Sequence, residues 1–457
     1  MMLLSHLAQL LDARLVGKDA QFSDISTDSR KIKAGDLFIA LRGDNFDGFE
    51  FVAGSIQLGA VAGLVNADSY AKSAAILAPE SSILIVEDTR LALGKIAAHW
   101  RKQFNIPLVG ITGSNGKTTV KEMLASILRA HTGAADFVLA TQGNLNNDIG
   151  LPLTLLKLRA THRYAVIEMG MNHPGEIEYL THLACPDVAV INNAGSAHLE
   201  GLGNVEAVAR AKGEIFAGLG EHGIAVINAD DDHADLWREL AAGHTVIDFA
   251  LHQAAQLKAV WQPYQHGAEV KISFNNQAVE VKLQIPGAHN VRNALAATGA
   301  ALALNIPLTT IAAALSEFSG VAGRLQRKTA LRGAVLIDDT YNANPASLHA
   351  ALEVLANEDG EKILVLGDMG ELGADAAKLH ADIGAEARQL GIQKIFALGD
   401  LSTYAVDEFG DGATHFKRLE DLLESLNQHL CVGSTVLVKG SRFMKMERVV
   451  HHCTALQ

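Results

Sequence analysis

Residues 111–119 read ITGSNGKTT. They join an apolar run, PLVGITGS, to VKEMLASILRAH, whose apolar residues recur at helical spacing. Glycines let a backbone approach a phosphate closely, and successive amides can then point inward as an anion nest. The first turn of the following helix adds its positive end. Thr112, Gly113, Ser114, Asn115, Gly116 and Thr119 therefore form a candidate phosphate loop. In that loop Lys117 would reach the β- and γ-phosphates and the Thr118 hydroxyl would hold Mg²⁺. One position departs from the general phosphate-loop pattern, because Ile111 stands where common kinases and ATPases carry glycine. A Gly-rich turn followed by an incidental lysine is the competing reading.

Further residues able to do chemistry follow in order. Glu168 ends the run YAVIE, His198 lies in AHLEGLG, Lys212 in ARAKGEIF, and Asn290 and Asn293 in PGAHNVRN. Gly323-Arg324 comes next, and Asp338-Asp339 closes AVLIDD. With the ITGSNGKTT loop, this series resembles the Mur ligase superfamily over almost the whole chain. The resemblance implies an ATP-dependent ligase that joins a carboxylate to an amine through an acyl phosphate. It implies that Lys117, Glu168, His198 and Lys212 serve catalysis and that Thr118, Glu168 and His198 hold the metal. Asn290, Asn293, Arg324 and Asp339 would join the loop in binding ATP. Lys212 matches a lysine that the superfamily carbamylates with CO₂.

Within the superfamily, GNLNNDIGLPLTLL, DDTYNANPAS and LGDMGELG are similar to the members that add D-alanyl-D-alanine to the peptidoglycan precursor. TDSRKIKAGDLFIALRG is similar to a UDP-binding unit. Ser29, Arg30, Asn144, Asn146 and Asn147 are thus expected to meet UDP-N-acetylmuramoyl-tripeptide. Tyr341, Asn342, Asn344, Lys439, Ser441 and Arg442 are expected to meet the acceptor dipeptide. The alternatives are a third-residue ligase or folylpolyglutamate synthetase of the same superfamily, and a P-loop phosphotransferase. The YNANP stretch argues against the first two, and the lack of a DNPR motif against the third-residue ligase.

Each assignment has a plainer rival. A carboxylate at a strand end suits Mg²⁺, which takes oxygen ligands and few protein carboxylates; such an acid is also often just exposed. Lys212 could stay a simple cation paired with Glu214. Asn290 and Asn293, three apart, share a helix face and could read adenine, or could cap and turn. The Arg324 fork suits phosphate. Only one of Asp338 and Asp339 can face a ribose, because neighbouring strand residues point to opposite sides. Arg30 and the Lys439–Arg442 segment could equally be solvated basic turns.

These side chains need elements to hold them. Continuous apolar runs (PLVGITGS, YAVIEMG, VAVINNAG, IAVINAD, TVIDFA) separated by helical stretches predict a mostly parallel sheet buried on both faces. AVLIDDT, KILVLGD, KIFALGD and STVLVKG predict a second, Rossmann-like α/β unit. LFIALRG and SILIVED predict a small α/β unit before them, and residues 257–285 predict a small antiparallel patch. The expected fold class is α/β in three domains: 1–95 for UDP-substrate binding, 96–324 for ATP and 325–457 for the acceptor.

The chain has 457 residues, 49% of them hydrophobic, and a net charge of −13, so several cores are expected and a nucleic-acid partner is not. Three scattered cysteines suggest neither a disulfide framework nor a zinc site. MMLLSHLAQLLDARL reads as a short amphipathic helix, and no run is long enough to span a membrane. A cytoplasmic monomer is expected.

Overall fold

The computed structural model describes residues 1–43, 46–195, 199–264 and 266–454, without the side chains of residues 199 and 200. Three sheets of five, nine and six strands organise it. The first runs, in space, Arg14–Val16, Ile83–Val86, Ala62–Asn66, Asp36–Ile39, Asp24–Ser26, and all its adjacent pairs are parallel except the first. Leu4–Leu11 is the expected short helix, burying Leu4, Leu7 and Leu11.

Helix Thr89–Arg101 leads from this sheet to the next. Asp88 caps it by accepting from the amides of Arg90 and Leu91. Its buried residues Leu93, Ile96 and Ala97 lie in one apolar cluster with Leu37 and Leu64 of the first sheet and with Leu108 and Ile167 of the second. The helix runs without a break through residue 95, so the first two sheets share packing.

In chain order, the elements that matter for the site are strand β1 (Leu108–Thr112), helix α1 (Lys117–Thr132), strands β2 (Val138–Ala140), β3 (Tyr164–Glu168) and β4 (Val188–Ile191), and helices α2 (Val205–Gly213) and α3 (Ala288–Ala303). The central sheet places β1 between β3 and β4, with β2 at the edge beyond β3. On the other side of β4 follow Ile224–Asn228, Thr245–Ala250 and Leu257–Tyr264, all parallel. Two antiparallel strands, Gly267–Phe274 and Gln277–Leu283, finish the sheet. The alternating stretch is therefore antiparallel as expected but continues the main sheet rather than forming a separate patch. It alternates because it is the part of the sheet with a solvated face: Lys258, Val260, Lys271 and Glu280 are exposed while Leu257, Ala259, Ile272 and Val281 are buried.

The third sheet places Gln326–Thr329 against strand β5 (Val335–Asp339), then β7 (Ser434–Lys439), then β6 (Glu361–Gly367), and Lys394–Leu398 and Ala413–Phe416 beyond. Only the first pair is antiparallel. Every apolar run singled out in the sequence forms one of these strands. Both large sheets end their parallel strands at the same cleft.

Candidate active site

β3 and β4 flank β1 although both follow it in the chain, so connections leave the sheet in opposite directions at β1. In open α/β sheets such a switch point opens a crevice at the carboxyl ends of the strands. The 113–118 loop lies there and runs into α1. Gly116 has φ +79°, and a Cβ on it would come within 2.3 Å of Asn293 Oδ1 and 2.5 Å of Asn192 Nδ2, so no side chain fits.

Asparagines from the neighbouring strand end hold the loop. The Asn115 amide donates to Asn193 Oδ1 (2.8 Å), and the Asn115 carbonyl accepts from Asn192 Nδ2 (2.9 Å) and Asn193 Nδ2 (3.1 Å). Asn192 also donates to Asn293 Oδ1 at 2.8 Å, and Asn293 donates to Asn290 Oδ1 at 3.2 Å. Asn290 and Asn293 are thus buried beneath the loop, engaged by protein partners. Thr112 and Thr119 are buried there too, Thr112 donating to the Met169 carbonyl.

The Lys117 ammonium donates to the Gly113 carbonyl at 2.6 Å, folding over its own loop. Burial holds it below the ordinary lysine value, with Glu168 opposing and Arg324 reinforcing the shift. Glu168, at the end of β3, is 2% exposed. Thr118 Oγ1 donates to its Oε2 at 3.0 Å and Asn146 Nδ2 to its Oε1 at 2.8 Å. Among the described residues no cation lies at ion-pair distance from Glu168. A buried carboxylate served only by neutral donors and joined to a hydroxyl fits one Mg²⁺, whose other ligands are water and phosphate oxygens. Arg324 Nη2 donates to Thr118 Oγ1 at 3.3 Å, its guanidinium stacks 4.0 Å from the Tyr341 ring centroid, and its buried Nε has no partner among the described residues.

The cleft around these groups measures about 1410 Å³. The central unit lines it with Ser114 to Thr118, Asn144, Asn146, Asn147 and Glu168, and the third unit with Tyr341, Asn342, Asn344, Ser441 and Arg442. Asn344 caps helix Pro345–Ala356 and donates from its Nδ2 to Asn115 Oδ1 at 2.8 Å, tying the third unit to the 113–118 loop. Ser441 Oγ accepts from the Gly370 amide at 2.8 Å and donates to the Ala343 carbonyl at 3.1 Å, so two lining loops are clamped together.

Other expected residues lie elsewhere. Ser29 and Arg30 are outside this cleft, and Arg30 is highly exposed and paired with Asp28 at 2.8 Å. Lys212, on α2, is buried without a carboxylate partner among the described residues, and burial, then Lys117, push its ammonium well below the ordinary value. The rival pairing with Glu214 is not formed, because Glu214 turns away to accept from the amides of Gly175 and Glu178. His198 lies outside the described residues.

Asp339 and Lys439 do not reach the cleft as free groups. Both are buried and paired with each other, with Lys439 also donating to the Asn342 carbonyl (2.9 Å) and Asp339 accepting from the Leu325 amide (3.1 Å). The turn that follows β7 is therefore not simply a solvated one: its lysine is an internal tie. Asp338 faces the other way, accepting from Lys328 and Thr340. Burial raises the Asp339 carboxyl and lowers the Lys439 ammonium, and the pairing opposes both shifts. Removing one partner leaves a buried charge, so Asp339→Asn should lower stability by about 3 kcal/mol. Urea denaturation checks this, and an unchanged midpoint would count against the pair.

Sequence reasoning missed Asn192 and Asn193, although they follow an apolar run at a strand end as Glu168 does. It also missed Thr141, Lys121 and the exposed cleft residue Phe443.

Models of the Mur ligase family catalytic domain, the Mur ligase middle domain and the Mur ligase glutamate ligase domain match residues 21–101, 111–301 and 323–442. The UDP-N-acetylmuramoyl-tripeptide–D-alanyl-D-alanine ligase of Haemophilus influenzae is 41% identical over 98% of this chain and 97% of its own. MurF from Acinetobacter baumannii superposes with TM-score 0.89 at 36% identity over 98% and 97% of the two chains. MurF ligase from Thermotoga maritima, solved with ADP, gives 0.82 at 27% identity over 94% and 96%. The chain belongs to the Mur ligase family of ATP-dependent amide ligases.

Proposed function

We propose that this chain joins UDP-N-acetylmuramoyl-tripeptide to D-alanyl-D-alanine, yielding ADP, phosphate and the pentapeptide precursor. The observation that carries the reading is the single cleft in which the ATP loop, the Asn144–Asn147 asparagines and the third unit's Tyr341–Arg442 lining meet, in a chain 41% identical to a ligase of that name. The proposed division of labour follows the sequence: residues 1–95 for the UDP end, 96–324 for ATP and 325–457 for the dipeptide. Asn290, Asn293 and Asp339 act from beneath the ATP site, as supports. Ser29 and Arg30 meet the UDP end away from the reacting atoms.

The reaction brings anions together twice, so the site must supply positive charge and fixed donors. Loop amides and Lys117, released from the Gly113 carbonyl, hold the phosphates of ATP. Thr118 and Glu168 would hold Mg²⁺, with His198 as a further candidate ligand; the ion would neutralise and align the phosphates. Arg324 contributes a fork from the third-unit side. The tripeptide's terminal carboxylate oxygen attacks the γ-phosphorus, a C–O–P linkage forms, and ADP leaves. The dipeptide's uncharged amine then attacks the acyl carbon, the C–O bond to phosphate breaks, and the amine loses its proton as the amide forms. Closure of the third unit over the ATP loop, through Asn344 and Asn115, excludes water that would hydrolyse the acyl phosphate.

Lys212 fits carbamylation. It is buried, its amine is pushed toward neutrality, and only a neutral amine reacts with CO₂. We place the enzyme in the cytoplasm as a monomer, where ATP is supplied; no helix among the described residues is long and apolar enough to cross a membrane.

Phosphate release is to be measured with ATP, Mg²⁺ and UDP-N-acetylmuramoyl-tripeptide, with and without D-alanyl-D-alanine. Release that depends on the dipeptide, with pentapeptide seen by mass, is the expected result. Release that depends on lysine, meso-diaminopimelate or glutamate instead would replace the acceptor assigned here.

A further inference from the structure

Lys121 lies one helical turn beyond Lys117 on α1 and is 1% exposed. A buried ammonium is costly unless its protons are taken up by acceptors. Its Nζ donates to the Thr141 carbonyl at 2.6 Å and pairs with Glu122 Oε1 at 2.7 Å. Nothing in the reaction described above uses it.

Its main-chain partner sits at a critical point. Strand β2 pairs with β3 only as far as Ala140 opposite Val166. Thr141 still donates its amide to the Val166 carbonyl (3.0 Å), but its own carbonyl lies past the end of the ladder, buried. Lys121 supplies the donor that the ladder does not. The Thr141 hydroxyl in turn accepts from the Glu168 amide at 2.9 Å. The chain then continues through Gln142 into the loop whose Asn146 donates to Glu168 Oε1 at 2.8 Å, and the Gly170 amide returns to the Asn146 carbonyl at 2.8 Å. Glu168 is thus held from its backbone by Thr141, the residue that Lys121 anchors, and from its carboxylate by Asn146, in the loop that leaves Thr141.

We propose that Lys121 is a positioning residue that sets the Glu168 carboxylate against the ATP loop and, with it, the 142–148 loop that carries the substrate-facing asparagines. Helix α1 then carries two lysines with separate tasks: Lys117 faces the phosphates, and Lys121 fixes the far side of the metal site. The inference rests on the Mg²⁺ assignment above.

The test is ADP binding by calorimetry across a Mg²⁺ titration, for the wild-type chain and for Lys121→Met, which keeps the length and loses the donor. The Mg²⁺ concentration at half effect should rise about tenfold in Lys121→Met, the worth of one lost buried hydrogen bond, and Lys121→Arg should restore most of it. Thr141→Val, which keeps the carbonyl but removes the hydroxyl that accepts from Glu168, should raise it in the same direction, and serves if Lys121→Met does not fold. A folded Lys121→Met or Thr141→Val protein with wild-type Mg²⁺ dependence overturns the inference, since a purely structural prop would lower the melting temperature and leave that dependence alone. A wild-type chain whose ADP affinity ignores Mg²⁺ overturns the metal assignment and this inference with it.

Discussion

Replacing Lys117 by alanine should lower phosphate release about a thousandfold while leaving the fold intact, the upper range for loss of one preorganised charge from a developing anion. The lysine is half-buried over its own loop, bonded to the Gly113 carbonyl, and kept in place by a loop that asparagines tie down from Asn192 and Asn193. Its removal takes away the only side-chain cation of the loop without touching those ties. Circular dichroism and urea denaturation should match the wild type. Near-normal phosphate release from a folded Lys117→Ala protein would refute the assignment of the ATP site.

Loss of Lys212 comes second. Lys212→Ala should reduce turnover about a hundredfold, the cost typical of groups that support a metal from its outer sphere. As an ammonium, Lys212 is disfavoured twice, by burial and by Lys117. As a carbamate it would be an anion, and the same Lys117 charge would attract it. The modification would therefore reverse an unfavourable interaction already built into the fold. Acetate or formate added to Lys212→Ala should restore part of the activity by placing a carboxylate in the vacated space. Full activity of that variant without any added acid, or an unmodified lysine by intact mass in bicarbonate together with full turnover, would remove the carbamate from the scheme.

The fold was legible in the sequence because its strands are buried on both faces. Runs such as YAVIE and VAVI are continuous enough to be recognised without neighbours. The alternation of residues 257–285 predicts antiparallel strands, yet their membership of the main sheet depends on the pairing of Leu257 and Lys258 with Phe249 and Ala250, which no local pattern records. The site was legible where one short segment holds the whole device. The loop from Gly113 to Thr118 carries glycines, amides, lysine and hydroxyl in sequence, and the structure finds them together.

The sequence by itself determined the loop, the order of the strands along the chain, and the family to which the chain belongs. Only the tertiary structure decided what each distant side chain faces. Asn290 and Asn293 lie under Gly116 because α3 packs against α1, and Asp339 meets Lys439 because β5 and β7 are neighbours in the sheet although a hundred residues lie between them. Lys121 meets the Thr141 carbonyl because α1 packs against β2. Residue type and spacing fix the chemistry a side chain can offer. Which partner it meets, and whether water is there to compete, is set by strands and helices brought together from far apart in the chain, and burial in that packing is what shifts the lysines and the carboxylate away from their behaviour in solution.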